Sequence, residues 1–258
     1  DEAPGLTCPD AYSLEANTTG GKVVSFTLPT VEGECNGFPT LSYSPYSSGT
    51  LIPVGETTIT CTATDAAGNE STCTFDITIT DTADPTITCP DDVTAEATSP
   101  TGANPTWDEA TATDTADDSI SFTYASNGSS VESGDLFSIA AHTVTATATD
   151  SGHPSANTDT CDFTVTVVDT TGPTITTPDN ITAQATAANG AAVDYAASTA
   201  SDLVDGDIDA ADISYDVASG STFAIGENTV TVTAVDSRDN SSQDTFTVTV
   251  QDTTGPTI

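Results

Sequence analysis

The stretch "GETTITCTATDAAGNESTCTFDITITD" (Gly55–Asp81) decides the fold. Threonines alternate with apolar or small residues, an aspartate-led loop follows, and a second alternating run closes the stretch. Alternation with a period of two marks a strand with one buried face. Two such runs joined by a Gly/Asn loop mark a hairpin. The phrase returns as "AHTVTATATDSGHPSANTDTCDFTVTVVD" (Ala141–Asp169) and as "GENTVTVTAVDSRDNSSQDTFTVTVQD" (Gly226–Asp252).

An opening phrase returns with it. "APGLTCPD" (Ala3–Asp10), "DPTITCPDDVTAEA" (Asp84–Ala97) and "GPTITTPDNITAQA" (Gly172–Ala185) align without gaps through their Pro-Asp pair. Repetition at this period signals an array of like units. It predicts modules at residues 1–84, 85–172 and 173–252. "DTTGPTI" at Asp252–Ile258 repeats Asp169–Ile175, so residues 253–258 are expected to open a further repeat or to act as a donor strand for another subunit. About seven short strands per module suggest an antiparallel sandwich. Short linkers such as "DTADP" and "DTTGP" suggest end-to-end stacking into a rod on the order of 100 Å, at ~3.3 Å per strand residue.

Composition supports an all-β chain and narrows its partners. Among 258 residues there are 39 Asp and Glu against two basic residues, Lys22 and Arg238. Phosphates demand cations, so nucleic acid and anionic membrane surfaces are excluded as partners. No apolar run approaches a membrane span, so no membrane insertion is expected in this segment. The acidity has two physical uses: binding a hard cation such as Ca²⁺, or keeping the chain hydrated in high salt, as in a halophile.

The six cysteines lack any C-x-x-C spacing and suggest disulfides in an oxidising compartment. Cys8 aligns with Cys89, and Cys73 with Cys161. In the third module Thr177 and Asp244 replace both members together, as expected of bonded partners. The alignment therefore predicts Cys8–Cys73 and Cys89–Cys161, and leaves Cys35–Cys61 by elimination. The alternative is free buried thiols or metal ligands, for which no spacing is present.

C-P-D near the start, a G-x-x-T-[IV]-T strand, T-A-T-D-x-x-G-N and C-T-F-x-[IV]-T-[IV] together resemble the HYR (hyalin repeat) module. The first module carries these motifs at Cys8, Gly55, Ala63–Asn69 and Cys73–Ile79. The second keeps the outer cysteines but has "SGHPSAN" where G-N would stand. The third lacks cysteine, and its "DLVDGDI" (Asp202–Ile208) is more similar to bacterial immunoglobulin-like surface repeats. The resemblance implies three tandem immunoglobulin-like sandwiches in an extracellular or cell-surface protein, without catalysis.

In such a sandwich the linker and two loops of the following module meet at each junction. The first junction would gather Asp81, Asp84, Asp114, Asp117, Asp118, Asp150, Asn157 and Asp159. The second would gather Asp169, Asp202, Asp205, Asp207, Asp209, Asp236, Asp239 and Asn240. Crowded carboxylates repel unless a cation neutralises them, so structural Ca²⁺ is expected there, similar in logic to cadherin junctions. The competing reading is a solvated acidic surface, since Asp is favoured in turns.

Other chemistry is sparse. No nucleophile elbow, phosphate loop or H-E-x-x-H occurs, and His142 and His153 have no motif-spaced partner. Trp107 is either a glycan platform or core of the second module. Sequons at Asn17, Asn69, Asn127, Asn180 and Asn240 are glycosylation candidates. The expected function is structural: part of a surface stalk, adhesin or filament, whose partners are copies of itself or further repeats. The alternatives are a glycan- or protein-binding adhesin and accessory repeats of a secreted enzyme.

Overall fold

A computed structural model describes residues 2–32 and 38–255. Strands dominate, and the only helical element among the described residues is a short 3₁₀ turn at Ala210–Asp212. Among the described residues no helix is long and apolar enough to cross a membrane. By compactness the chain divides into two units. One comprises Asp1–Asp91, Asp108–Glu132 and Thr143–Phe163; the other comprises Asp92–Trp107, Ser133–His142 and Thr164–Ile258.

In the first unit the quoted hairpin forms as the alternation requires. Gly55–Thr64 pairs antiparallel with Glu70–Thr80, from Gly55↔Ile79 to Thr64↔Glu70. One face presents Ile59, Cys61 and Ala63 beside Phe75, Ile77 and Ile79, all buried. Thr40–Ser44 extends the sheet beyond Gly55–Thr64. Tyr12–Glu15 borders the other edge, parallel to Glu70–Thr80. The opposing layer is two short pairs, Gly5–Thr7 with Thr30–Glu32 and Lys22–Val24 with Thr50–Ile52. Val24, Phe26 and Ile52 reach from it into the core, where Phe26 meets Phe75 edge-on at 5.1 Å. The same unit holds Thr86–Thr88 paired with Thr111–Thr113, and residues 121–125 paired with residues 145–149.

The second unit repeats the plan. Gly226–Val235 and Ser241–Gln251 form the long antiparallel hairpin, burying Val230, Val232 and Ala234 beside Phe246, Val248 and Val250. Ile213–Tyr215 flanks it on one side, and Ile181–Gln184 runs parallel to Ser241–Gln251 on the other. Val93–Glu96 likewise runs parallel to the end of Thr158–Val168. The long hairpins are antiparallel as expected, and at one edge each module's second strand joins its last strand in parallel. These strands are too short for their pattern to encode direction. The core face of the last strand sets it.

Gly21, Gly102 and Gly190 occupy one repeated position at φ between +113° and +124°. A Cβ at Gly190 would lie 1.8 Å from the Phe223 carbonyl oxygen, so the turn admits only glycine.

Disulfides Cys8–Cys73 and Cys89–Cys161 tie each opening strand to the final hairpin. Cys61 is a buried thiol, fully covered, with its pKa pushed up by burial. It bonds no described residue, and its expected partner Cys35 lies outside the described residues.

The bridges span 65 and 72 residues, which in the chain-entropy model is worth about 4 kcal/mol each. Replacing Cys89 and Cys161 together by serine in the full chain is expected to destabilise the second module by about 2–4 kcal/mol in urea unfolding. The third module's cysteine-free hairpin should unfold at its original midpoint.

Candidate functional site

The acidic sites grow directly from the alternation. On Glu70–Thr80 the inward positions are Phe75, Ile77 and Ile79. The next inward position, one residue past the strand, is Asp81, only 1% exposed. Phe163, Val165 and Val167 lead in the same way to buried Asp169. The preceding strands do likewise: Val144, Ala146 and Ala148 lead to buried Asp150, and Val230, Val232 and Ala234 lead to buried Asp236. The strand geometry thus carries carboxylates into positions where apolar residues would otherwise sit.

At the first site Asp81, Asp114 and Asp150 each offer an oxygen, and the three lie within 4.8 Å of one another. Asp114 Oδ1 accepts the amides of Ala116 (2.6 Å) and Asp117 (3.0 Å). That turn seats Ala116 in the core of the first sandwich. Asp114 Oδ2 is fully buried and has no hydrogen-bond partner. Asp150 is held by a side-chain clasp: Oδ1 accepts the Asn157 amide at 2.7 Å, and Oδ2 accepts Asn157 Nδ2 at 3.0 Å. Asn157 Nδ2 also donates to the Asp81 carbonyl at 3.3 Å. Asp117 lies beside the trio and accepts from the Ser151 amide and hydroxyl, a contact that holds its carboxyl below the usual range. A pocket of about 290 Å³ opens alongside, lined by Pro53, Val54, Asp81, Ala116, Asp117 and Ser151.

The electrostatics of this trio are unfavourable. Burial raises the Asp81 carboxyl above its ordinary value, and Asp114, Asp150 and Glu15 push the same way against the Ala83 amide. The donor set is all oxygen, three carboxylates converge, and one buried oxygen lacks a partner. These features fit a hard divalent cation, which takes six to eight oxygens.

The second site has the same frame. Asp169, Asp205 and Asp236 offer oxygens within 4.8 Å. Asp202 Oδ1 accepts the Val204 and Asp205 amides, as Asp114 does for Ala116 and Asp117. Asn240 clasps Asp236 and donates to the Asp169 carbonyl at 3.1 Å. Ser237 Oγ donates to Asp205 at 2.6 Å. Here, however, a cation is built in. Arg238 Nη1 lies 3.3 Å from Asp169 Oδ2 and 3.2 Å from Asp205 Oδ2. Burial works against the charged form of Asp236, but Asn240 and Arg238 prevail and lower its carboxyl.

Asp65 and Asn69 form the same clasp in the first module, with Nδ2 to Oδ2 at 2.9 Å. The signal for all three is Asp followed by the next Asn before the final strand. In the second module Asn157 fills this role across the longer loop "SGHPSAN". Three residues that sequence reasoning missed brace the linkers. Glu15 accepts from Thr82 N (2.7 Å) and Thr80 Oγ1, Glu96 from Thr170 N (2.7 Å) and Oγ1, and Gln184 from Thr253 N (3.3 Å) and Oγ1. Each stands in the repeated "TAE" or "TAQ" or its first-module equivalent.

Several expected ligands stand apart from the clusters. Asp84, Asp118, Asp207 and Asp239 are exposed. Asp159 accepts the Ile87 amide, and Asp209 caps the 3₁₀ turn. Trp107 is buried with Phe137 edge-on at 5.9 Å, so the glycan-platform reading is corrected in favour of core. Among the sequons, Asn69 and Asn240 have their amide nitrogens committed to the clasps, whereas Asn17, Asn127 and Asn180 are exposed.

Comparison with known proteins agrees with the repeat seen in the sequence. The HYR domain model matches residues 1–79, 80–167 and 168–250. Hyalin of Strongylocentrotus purpuratus is 33% identical over 265 residues, covering 99% of this chain and 21% of that protein. Hyalin of Lytechinus variegatus is 32% identical, covering 93% and 45%. The chain thus spans less than half the length of these curated relatives. Among solved structures, mouse cadherin-23 EC22–24 aligns with a TM-score of 0.39 at 14% identity over 98% of this chain and 100% of that one. Protocadherin gamma B2 domains 1–5 align with a TM-score of 0.39 at 16% identity over 98% and 61%. The chain is an extracellular, cell-surface type of protein, and with three matched repeats it belongs to the HYR domain family.

Proposed function

We propose that this segment is a non-catalytic structural element of an extracellular adhesion-type array, in which Ca²⁺ stiffens a junction between successive modules. The observation that carries the reading is the trio of buried Asp81 and Asp150 with half-buried Asp114, whose buried Oδ2 atom is left without a partner. A buried carboxylate oxygen without a partner is costly. Its retention between two modules is reasonable where a cation binds across their loops and linker. Asp81 comes from the end of one module, while Asp114 and Asp150 come from the next. A shared ion would therefore restrain their relative motion. Asn157 and Glu15 hold the linker in place for that ion.

The partners proposed are further modules of the same kind. Asp252 occupies the position of Asp81 and Asp169 but is exposed, and the Asp65–Asn69 clasp is only half buried. Each carries part of the constellation seen complete at the two sites.

Thermal unfolding at fixed ionic strength tests the calcium reading. Millimolar CaCl₂ is expected to raise the midpoint relative to EGTA, and matched MgCl₂ to raise it less. A ligand at one hundred times its Kd stabilises by about 2.7 kcal/mol. Stabilisation by molar KCl with no Ca²⁺-specific shift would instead assign the acidity to salt adaptation.

Asp81 also predicts a pH dependence. Its folded-state pKa is raised, so in the metal-free protein the folded state holds a proton that the unfolded state has released. The Asp81 contribution to stability therefore falls as pH rises from its ordinary pKa through its raised one. Asp81→Asn is expected to unfold at a higher temperature than wild type at neutral pH in EGTA. That advantage should vanish below the ordinary aspartate pKa, and the variant should lose most of the Ca²⁺ response. Equal midpoints in EGTA at both pH values would show that Asp81 carries no such penalty.

A further inference from the structure

The two acidic sites are built on the same frame but differ in three ways: the acid of the neighbouring turn that joins the trio, the length of the loop after the inward strand, and the residue two positions after the loop aspartate. The loop after the inward strand runs Asp150-Ser151-Gly152 at the first site and Asp236-Ser237-Arg238 at the second. The backbone equivalence is direct: the Gly152 amide donates to Asp150 Oδ1 at 2.9 Å, and the Arg238 amide donates to Asp236 Oδ1 at 2.8 Å. Ser151 and Ser237 both reach the second acid of the neighbouring turn, Asp117 or Asp205. The residue two positions after the loop aspartate is thus glycine at one site and arginine at the other.

We infer that Arg238 serves as the resident cation of the second site, so that the first site alone takes a divalent ion. The inference rests on the calcium reading above and assigns it to one of two sites built on the same frame. Arg238 Nη1 contacts both Asp205 oxygens at 3.2 Å and Asp169 Oδ2 at 3.3 Å. The Asp169 side chain is wholly buried, and that of Arg238 is two-thirds covered. Guanidinium remains protonated at every pH the fold will meet, so this site is neutralised in part whatever the ionic conditions. A divalent ion would have to displace a charge-assisted contact to oxygens that Arg238 already holds.

Two independent features keep the first site open to an external ion. Asp114 Oδ2 is buried and unpartnered. The corresponding Asp202 does not belong to the second trio, where Asp205 takes the third place beside the guanidinium. In addition, the longer Asp150–Asn157 loop folds over Gly152. A Cβ there would lie 2.6 Å from Asn157 Nδ2 and 3.0 Å from both Asp150 Oδ1 and the Ser155 carbonyl oxygen. No side chain, and so no arginine, fits at that position without moving the loop. The first site lacks a built-in cation because its own clasp excludes one.

The test is the Ca²⁺ stoichiometry of the full chain by calorimetry at physiological salt, with folding of every variant checked by circular dichroism. Wild type is expected to bind one ion, Asp114→Asn none, and Arg238→Gln two. Thermal unfolding adds a second readout. In EGTA, Arg238→Gln should melt below wild type, and Ca²⁺ should restore more than it adds to wild type. Arg238→Lys, which keeps a positive charge, should still bind one. Two ions in wild type would overturn the inference while leaving the calcium reading intact. One ion in both wild type and folded Arg238→Gln would also overturn it. No ion in any variant would remove the calcium reading itself.

Discussion

The constraint on which the rest depends is the parity of the long strands. Side chains alternate between faces, so a residue placed two positions beyond the last core residue must point inward as well. In this chain that position is repeatedly an aspartate. Asp81 and Asp169 are carried inward at the ends of the last strands, and Asp150 and Asp236 at the ends of the strands before them. The residues that form the core and the residues that form the sites therefore lie on the same faces. A one-residue slip would expose Phe75, Ile77 and Ile79 to water and withdraw Asp81 from its cluster in the same movement. Strand register, core and site are fixed together.

That coupling explains what could be read from the sequence. The hairpins, the three repeats and the pairing of Cys8 with Cys73 and Cys89 with Cys161 follow from alternation and from the joint loss of both cysteines at Thr177 and Asp244. The parallel docking of Tyr12–Glu15, Val93–Glu96 and Ile181–Gln184 was not legible. Three or four residues alternate identically in either direction, and only the core decides. Among the acids, Asp81, Asp114 and Asp150 separate from Asp84, Asp118 and Asp159 by parity and turn geometry rather than by nearness in sequence. A tally that treats all 39 acids alike cannot make that separation. It also conceals Arg238, whose single charge disappears into the total yet dominates its own surroundings.

The turns that supply the middle acid show how packing and electrostatics are shared. Asp114 spends one oxygen on the amides of Ala116 and Asp117, and this brings Ala116 onto the core of the first sandwich. Asp202 does the same for Val204, which is buried. At Asp114 one acid thus serves both a turn that needs an acceptor and a cluster of charges, whereas at the second site Asp202 serves the turn and Asp205 supplies the charge. Asparagine in place of Asp114 would satisfy the turn through its carbonyl oxygen. It would leave the cluster one charge poorer.

The linker braces separate those two roles within the chain itself. Glu15 and Glu96 become Gln184 in the third module, yet all three accept hydrogen bonds from a threonine of the linker that follows. An acceptor oxygen is what the position requires, and the negative charge is dispensable there. At Asp81 and Asp169 the reverse holds. These side chains have few hydrogen bonds to lose, burial disfavours the charge of Asp81, and Asp169 faces a guanidinium. A neutral amide at either position would pack as well and avoid the desolvation cost. The carboxylate at Asp169 is met by Arg238, and the one at Asp81 is what the cation proposed for the first site would meet.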